Sequence, residues 1–255
     1  MEPGEIAGTV RATHLMSSEN QMRRLLVLLG VLAGATAIVV YRAMARPDTA
    51  SVVPTAQEDA TMQDGFEQIL KQHDGRYSKH GWNHYGPGYF DLDQETGILT
   101  SHGGMGLFWY AVKQYGDFVL DLEFKCADNE TNSGIFLRVP GVLSSDDYIY
   151  HSFEIQINEA GEGIHHTAAV YDAEAPSAKA ANPPGEWNRY RITFQGSRIT
   201  VELNSTKVID WDAEPRGKVA DFAARGYIGL QNHDDRSPVY FRNIYVKELG
   251  VRSKE

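Results

Sequence analysis

Phe118-Val119-Leu120-Asp121-Leu122-Glu123-Phe124-Lys125-Cys126 decides the fold. Phe118, Leu120, Leu122, Phe124 and Cys126 fall on one side of an extended chain, and Val119, Asp121, Glu123 and Lys125 fall on the other. Side chains alternate across a strand, so this pattern marks a half-buried antiparallel strand. Further strand candidates lie near 89–92, 97–101, 107–110, 134–139, 152–158, 167–172, 189–195, 198–204, 207–211, 226–231 and 239–248. Gly196-Ser197 and Asn204-Ser205-Thr206 supply turns, so 189–211 reads as a three-strand meander. Strands and helices do not alternate, which disfavours a parallel sheet. The expected fold is all-β: two packed antiparallel sheets in a jelly-roll sandwich.

Upstream of the sandwich the composition changes. Leu25 to Tyr41 is a run of 17 apolar and small residues, flanked by Arg23-Arg24 and Arg42. A membrane-spanning helix needs roughly 17 to 25 such residues. The run is read as an uncleaved single-span anchor, with a cleaved signal peptide as the alternative. The paired arginines before it favour export of the C-terminal domain to the periplasm or the exterior. Pro, Ser, Thr and Ala after Arg46 read as a tether. The expected organisation is a disordered N-terminus over 1–22, the hydrophobic segment over 23–45, a linker over 46–63 and the sandwich over 64–250. Gly65 to Gln72 reads as a short helix or a lead-in strand.

Charge and cysteine content narrow the function classes. The net charge is −10, and no basic run is long enough to track phosphates, so nucleic acid is not an expected partner. Aromatics make up 11% of the 255 residues, which suits a β-rich core and, secondarily, sugar stacking. The single cysteine, Cys126, stands on the apolar side of its strand, and a buried inert thiol is the default there.

A second strand carries the chemical signal. In Phe153-Glu154-Ile155-Gln156-Ile157-Asn158 the apolar residues share one face, leaving Glu154, Gln156 and Asn158 on the other. A strand that lines up a carboxylate and two amides points to a cleft. In Gly134-Ile135-Phe136-Leu137-Arg138-Val139 a regular strand would put Arg138 on the non-core face with Gly134 and Phe136, near Glu154. The long stretches Pro140–Tyr150 and Asp172–Gly185 are candidate rims. Trp82, Trp109 and Trp187 are read as core residues first.

The order and spacing of several motifs resemble the bacterial 3-keto-disaccharide hydrolase domain family. The likeness runs from Gly81-Trp82 to Glu248-Leu249. It rests on His102-Gly-Gly-Met-Gly-Leu-Phe-Trp109, Gly116-Asp117-Phe118, Asn132-Ser133-Gly134 with Arg138, Phe153–Ile157, Ala169-Val170-Tyr171, Gly185–Asn188, Gly229–His233 and Phe241–Ile244. Thr167-Ala168-Ala169 stands where the family usually reads Thr-Gly-Ala, and Asn204-Ser205 where it reads Asn-Gly. The resemblance implies a concanavalin A-like fold with the site on one sheet face, and a carbohydrate substrate.

It also implies a chemistry. A ketone at C3 of a sugar acidifies the C2 proton, so a base can remove it and the enolate can expel the C1 substituent. That route needs one general base and one positive group on the enolate oxygen. Glu154 is the expected base; Arg138, His233 or a bound divalent cation would supply the charge. Asn132, Gln156, Tyr171, Gln231 and Trp109 are the expected sugar contacts. Retaining hydrolysis by a Glu154–Glu159 pair would need the carboxylates about 5 to 5.5 Å apart, hence a bulge to bring them to one face. His165 and His166 point opposite ways on a strand, so at most one could ligate a metal. His102 is read as shaping a turn. A non-catalytic carbohydrate-binding or envelope interaction module is the alternative function.

Overall fold

A computed structural model describes residues 65–233 and 235–250 of the chain. The expected N-terminus, apolar segment and linker lie outside the described residues. Among the described residues no helix is long and apolar enough to cross a membrane.

Fifteen strands form the domain: β1 (Glu67–Gln68), β2 (Gln72–His73), β3 (Arg76–Tyr77), β4 (Trp82–Tyr85), β5 (Tyr89–Leu92), β6 (Leu99–His102), β7 (Gly106–Tyr110), β8 (Phe118–Cys126), β9 (Asn132–Val139), β10 (Phe153–Asn158), β11 (Asn188–Gln195), β12 (Arg198–Leu203), β13 (Thr206–Asp212), β14 (Tyr227–Asn232) and β15 (Val239–Glu248). One large sheet runs β13-β12-β11-β8-β15-β6-β5, with β1 also on β15; a second runs β10-β9-β14-β7-β4; β2 and β3 form a separate two-stranded ribbon. All are antiparallel throughout. The lead-in before residue 72 is therefore a strand. β4 carries no clean alternation in Trp-Asn-His-Tyr, and the sequence reading passed over it.

The alternation of β8 holds as expected. Phe118, Leu120, Leu122 and Phe124 are fully buried in one large cluster with Ile135, Phe153, Ile155, Tyr190, Ile192 and Phe194. Cys126 is a free, buried thiol, and burial pushes its pKa up to about 12. The Tyr190 hydroxyl donates to the Gln156 carbonyl at 2.7 Å, tying β11 to β10 across this core. Trp187, expected inside, is half-buried instead, with Lys125 and Arg242 over its ring.

Three local departures have physical causes. Residues 167–172 do not form a strand; Val170 makes isolated bridges to Ile155 and Glu174. The two places where the family reads glycine carry positive φ: Ala168 at 72°, and Ser205 at 67° after Asn204 at 51°. Asn204-Ser205 closes the two-residue turn between β12 and β13, where a primed turn needs left-handed backbone at both positions. The third departure is a bulge in β9. Val139 pairs Tyr227 and Phe136 pairs Gly229, so Leu137 and Arg138 together oppose Ile228 alone. Arg138 takes φ 57° there, which turns its side chain toward the core.

Candidate functional site

The five-stranded sheet buries one face in the main core and presents the other as the site. Direct partners across strands share a face. Glu154 opposes Phe136, Phe136 opposes Gly229, and Gly229 opposes Trp109. One step along, Gln156 opposes Gly134 and Gln231 opposes Leu107. At the end of the sheet Asn158 opposes Asn132, whose amide nitrogen lies 3.2 Å from His233 Nε2. The expected polar face of β10 thus meets Gln231, His233 and Asn132 on one surface.

Glu154 is its centre. The side chain is only 3% exposed. Its carboxylate lies over Gly134, where a Cβ would stand 2.3 Å from Oε1. Its hydrogen-bond partner is Lys218, whose Nζ donates to Oε2 at 2.8 Å. Lys218 also lies 4.0 Å from the Tyr171 ring centroid and 5.6 Å from that of Phe136. Burial raises the Glu154 pKa above its ordinary 4.5, and the charges of Lys218 and His233 pull it partly back. A buried carboxylate with one ammonium hydrogen-bonded to it and an elevated pKa suits proton abstraction.

The stretch 213–226, between β13 and β14, delivers Lys218. It is stitched to the turn before β10: Ala220 N–H donates to the Tyr150 carbonyl, and His151 Nδ1 lies 2.5 Å from Asp221 Oδ1. That turn, η1 (Asp146–Tyr150), is a 3-10 helix in which Ser145 accepts from the Asp147 N–H. It seats Tyr148 on the sheet face among Leu107, Trp109, Phe136 and Val139. Pro140–Tyr150 is therefore a wall of the site. Asp172–Gly185 divides: Asp172 packs against Gly217 beside Lys218, whereas Ser177 N–H donates to the Val208 carbonyl of β13, in the other sheet.

Several expected residues stand elsewhere. Arg138 does not approach Glu154. The bulge aims it inward, where it is 2% exposed and donates to the Gly116 and Gly196 carbonyls at 3.0 Å each and to Asp117 Oδ1 at 3.2 Å. Its guanidinium carbon lies 3.5 Å from the Phe194 ring centroid, and burial lowers its pKa to about 10. Trp109 is on the same face as Glu154, buried in the cluster that Tyr148 and Phe136 share. Glu159 follows the last residue of β10, Asn158, and its buried Oε1 has no hydrogen-bond partner in the protein.

Tyr171 lies beside Glu154, half-buried, with its N–H on the Glu154 carbonyl at 2.9 Å. Gln156 is buried and accepts from the Ile157 N–H; Gln231 is buried with Oε1 unpartnered. His165 lies 3.4 Å from Asp172, and His166 lies 3.1 Å from the Gly161 carbonyl. Among the described residues no group of three or more His, Cys, Asp or Glu side chains converges as a metal site. Lys218 and Tyr148 were missed from sequence because both sit in loops without periodicity. The separation of Lys218 from Glu154 by 64 positions left no local signal.

A 3-keto-disaccharide hydrolase of Bacteroides thetaiotaomicron is 24% identical, covering 73% of this chain and 79% of that protein. A Parabacteroides distasonis protein provisionally assigned as a glycosyl hydrolase superposes with TM-score 0.60 at 27% identity, covering 72% of this chain and 99% of its own. The VIP36 exoplasmic/lumenal domain shares the fold at TM-score 0.50 and 11% identity, covering 76% of this chain and 93% of its own. The 3-keto-alpha-glucoside-1,2-lyase-like domain family matches residues 66–247, and the chain belongs to that family.

Proposed function

We propose that this protein cleaves glycosidic bonds of sugars oxidised at C3, with Glu154 as the general base. The observation that carries the reading is the buried Glu154–Lys218 pair on the outer face of the five-stranded sheet. Glu154 takes the proton from C2, and the electron pair moves toward the C3 carbonyl. The enolate oxygen is stabilised by the Lys218 ammonium, which keeps N–H donors beyond the one given to Glu154. The pair then returns to form the C1=C2 bond as the C1–O bond breaks, releasing the second sugar. Where hydrolysis is the net result, water adds hydroxyl to C1 and a proton to C2. Gln231, with its unpartnered buried Oε1, and the Asn132–His233 pair are the sugar contacts.

Lys218 replaces Arg138 in the role expected for a cation, because Arg138 is committed to the core. The apolar run Leu25–Tyr41 supports placement at the cell envelope, and its test is retention of the full chain in the membrane pellet after a carbonate wash. The catalytic test is Glu154→Gln in the full chain, incubated with 3-keto-trehalose and with trehalose. The wild type is expected to release glucose from the keto sugar alone. The variant is expected to lose about 10²- to 10⁴-fold in turnover while keeping its fold. Unchanged turnover in the variant sinks the base role, and binding without any release by the wild type marks a carbohydrate-binding module.

A further inference from the structure

Elimination from C1 needs more than a base. The departing oxygen of a sugar alcohol leaves as an alkoxide unless a proton reaches it, so a second proton-transfer group belongs on the same surface. Tyr148 has the place and the state for it. Its ring stands edge-on to Phe136, centroids 5.0 Å apart, and Phe136 is the direct cross-strand neighbour of Glu154. A second edge contact, 6.3 Å between centroids, holds it against Tyr85 on the same face. Its hydroxyl is buried and has no hydrogen-bond partner within the protein. An unpartnered buried hydroxyl generally costs about 1–3 kcal/mol, so native structures keep few of them without a use.

The backbone around Tyr148 is fixed rather than loose. Its carbonyl accepts from Ser152 Oγ at 2.5 Å and from the His151 N–H at 3.2 Å. The adjoining Tyr150 carbonyl is bonded to Ala220, two residues from Lys218. The turn that carries the phenol and the loop that carries the ammonium are thus one connected wall beside Glu154. Burial and the negative charges of Asp146 and Glu154 hold the phenol pKa above its ordinary 10, so it stays a donor at neutral pH. The other tyrosine near Glu154, Tyr171, has its ring face under the Lys218 ammonium.

We propose that Tyr148 is the general acid of the site, passing its hydroxyl proton to the glycosidic oxygen as the C1–O bond breaks. This rests on the reading of Glu154 as the base. The C2–H electron pair becomes the C1=C2 bond, the C1–O pair stays on the departing oxygen, and that oxygen takes the Tyr148 proton. The phenolate is then reprotonated from water, while the C2 proton remains on Glu154 until product leaves or water adds back.

The test compares two leaving groups in the full-length protein: 3-keto-trehalose, whose departing sugar needs a proton, and p-nitrophenyl 3-keto-α-glucoside, whose phenolate leaves without one. Tyr148→Phe is expected to lose about 10²- to 10⁴-fold on the disaccharide and to stay within about threefold of wild type on the aryl glycoside. Glu154→Gln is expected to fail on both, since each begins with loss of the C2 proton. Equal losses on both substrates for Tyr148→Phe would overturn the acid role in favour of a packing one. No loss on either would overturn it outright. A melting curve with Tyr148→Phe and Tyr148→Leu separates misfolding from chemistry, because only the fold responds to the lost ring. If wild type turns over neither substrate, the keto-sugar reading itself falls, and the acid role falls with it.

Discussion

Arg138 and Lys218 both hold a positive charge against a carboxylate, one toward the core and one on the outer sheet face, and their surroundings differ in kind. The Arg138 guanidinium gives hydrogen bonds to two backbone carbonyls and to Asp117, whose Oδ1 also accepts from the Gly196 N–H. It joins β9 of one sheet to the start of β8 and the β11–β12 turn of the other. Lys218 and Glu154 share one hydrogen bond, beside a phenol and an amide oxygen that have no partners. A charge whose partners are filled holds structure. A charge with capacity to spare, on a surface with other unfilled groups, can act on something that arrives.

The sharpest way to break the comparison is to remove the first cation. Arg138→Ala leaves two carbonyls without their donor and Asp117 with only the Gly196 N–H, and is expected to cost about 3–5 kcal/mol, read as a fall in denaturant midpoint. A midpoint within 1 kcal/mol of wild type would mean that the bulge does not depend on the guanidinium. Leu120→Ala calibrates that loss. Leu120 is fully buried in the main core and touches neither pair, so a cost of about 2–5 kcal/mol is pure packing. An unchanged midpoint would put β8 in the wrong register.

Removing the second cation is expected to act mainly through pH. Lys218 lowers the Glu154 pKa against the larger effect of burial, so Lys218→Met lets that pKa climb further from 4.5. The acid limb of the pH–rate profile should then shift to higher pH. Stability follows the same sign. A carboxyl raised by folding contributes stability that is present below its unfolded pKa and lost as pH rises through the folded one. Lys218→Met should therefore match wild type best in acid and fall behind as pH rises through the folded pKa of Glu154. A parallel offset at every pH would contradict this electrostatic account. The smallest effect belongs to the exposed pair that stitches the site walls. His151→Ala should cost under about 1 kcal/mol, and a larger loss would make that stitch a structural element in its own right.

Much of the sandwich was readable because a strand with one wet face writes its geometry as alternation. β8, β10 and the β11–β13 meander show this directly. Arg138 was misread for one reason: period-two logic assumes a regular strand, and a left-handed residue at the bulge resets the faces so that Phe136 and Val139 share one. An arginine gives no hint of φ 57°, whereas a glycine there would have. Glu154 was legible as a carboxylate on a polar strand face, but its partner was not. Lys218 and Tyr148 arrive from loops whose position depends on tertiary contacts, and the sequence offers only a lysine among polar neighbours and a tyrosine between aspartates.

β10 is the outermost strand of its sheet, so its free side is a row of peptide groups on which another chain could add itself. The segment after it folds back over that row: Gln156 N–H donates to the Ala169 carbonyl, Ala168 N–H to the Gln156 carbonyl, and Tyr171 N–H to the Glu154 carbonyl. It does so without becoming a full strand, which would only move the open edge outward. The strand that carries Glu154 thus has its open edge covered, as sheet edges need to be if they are not to recruit further strands, and the left-handed Ala168 lies within that cover.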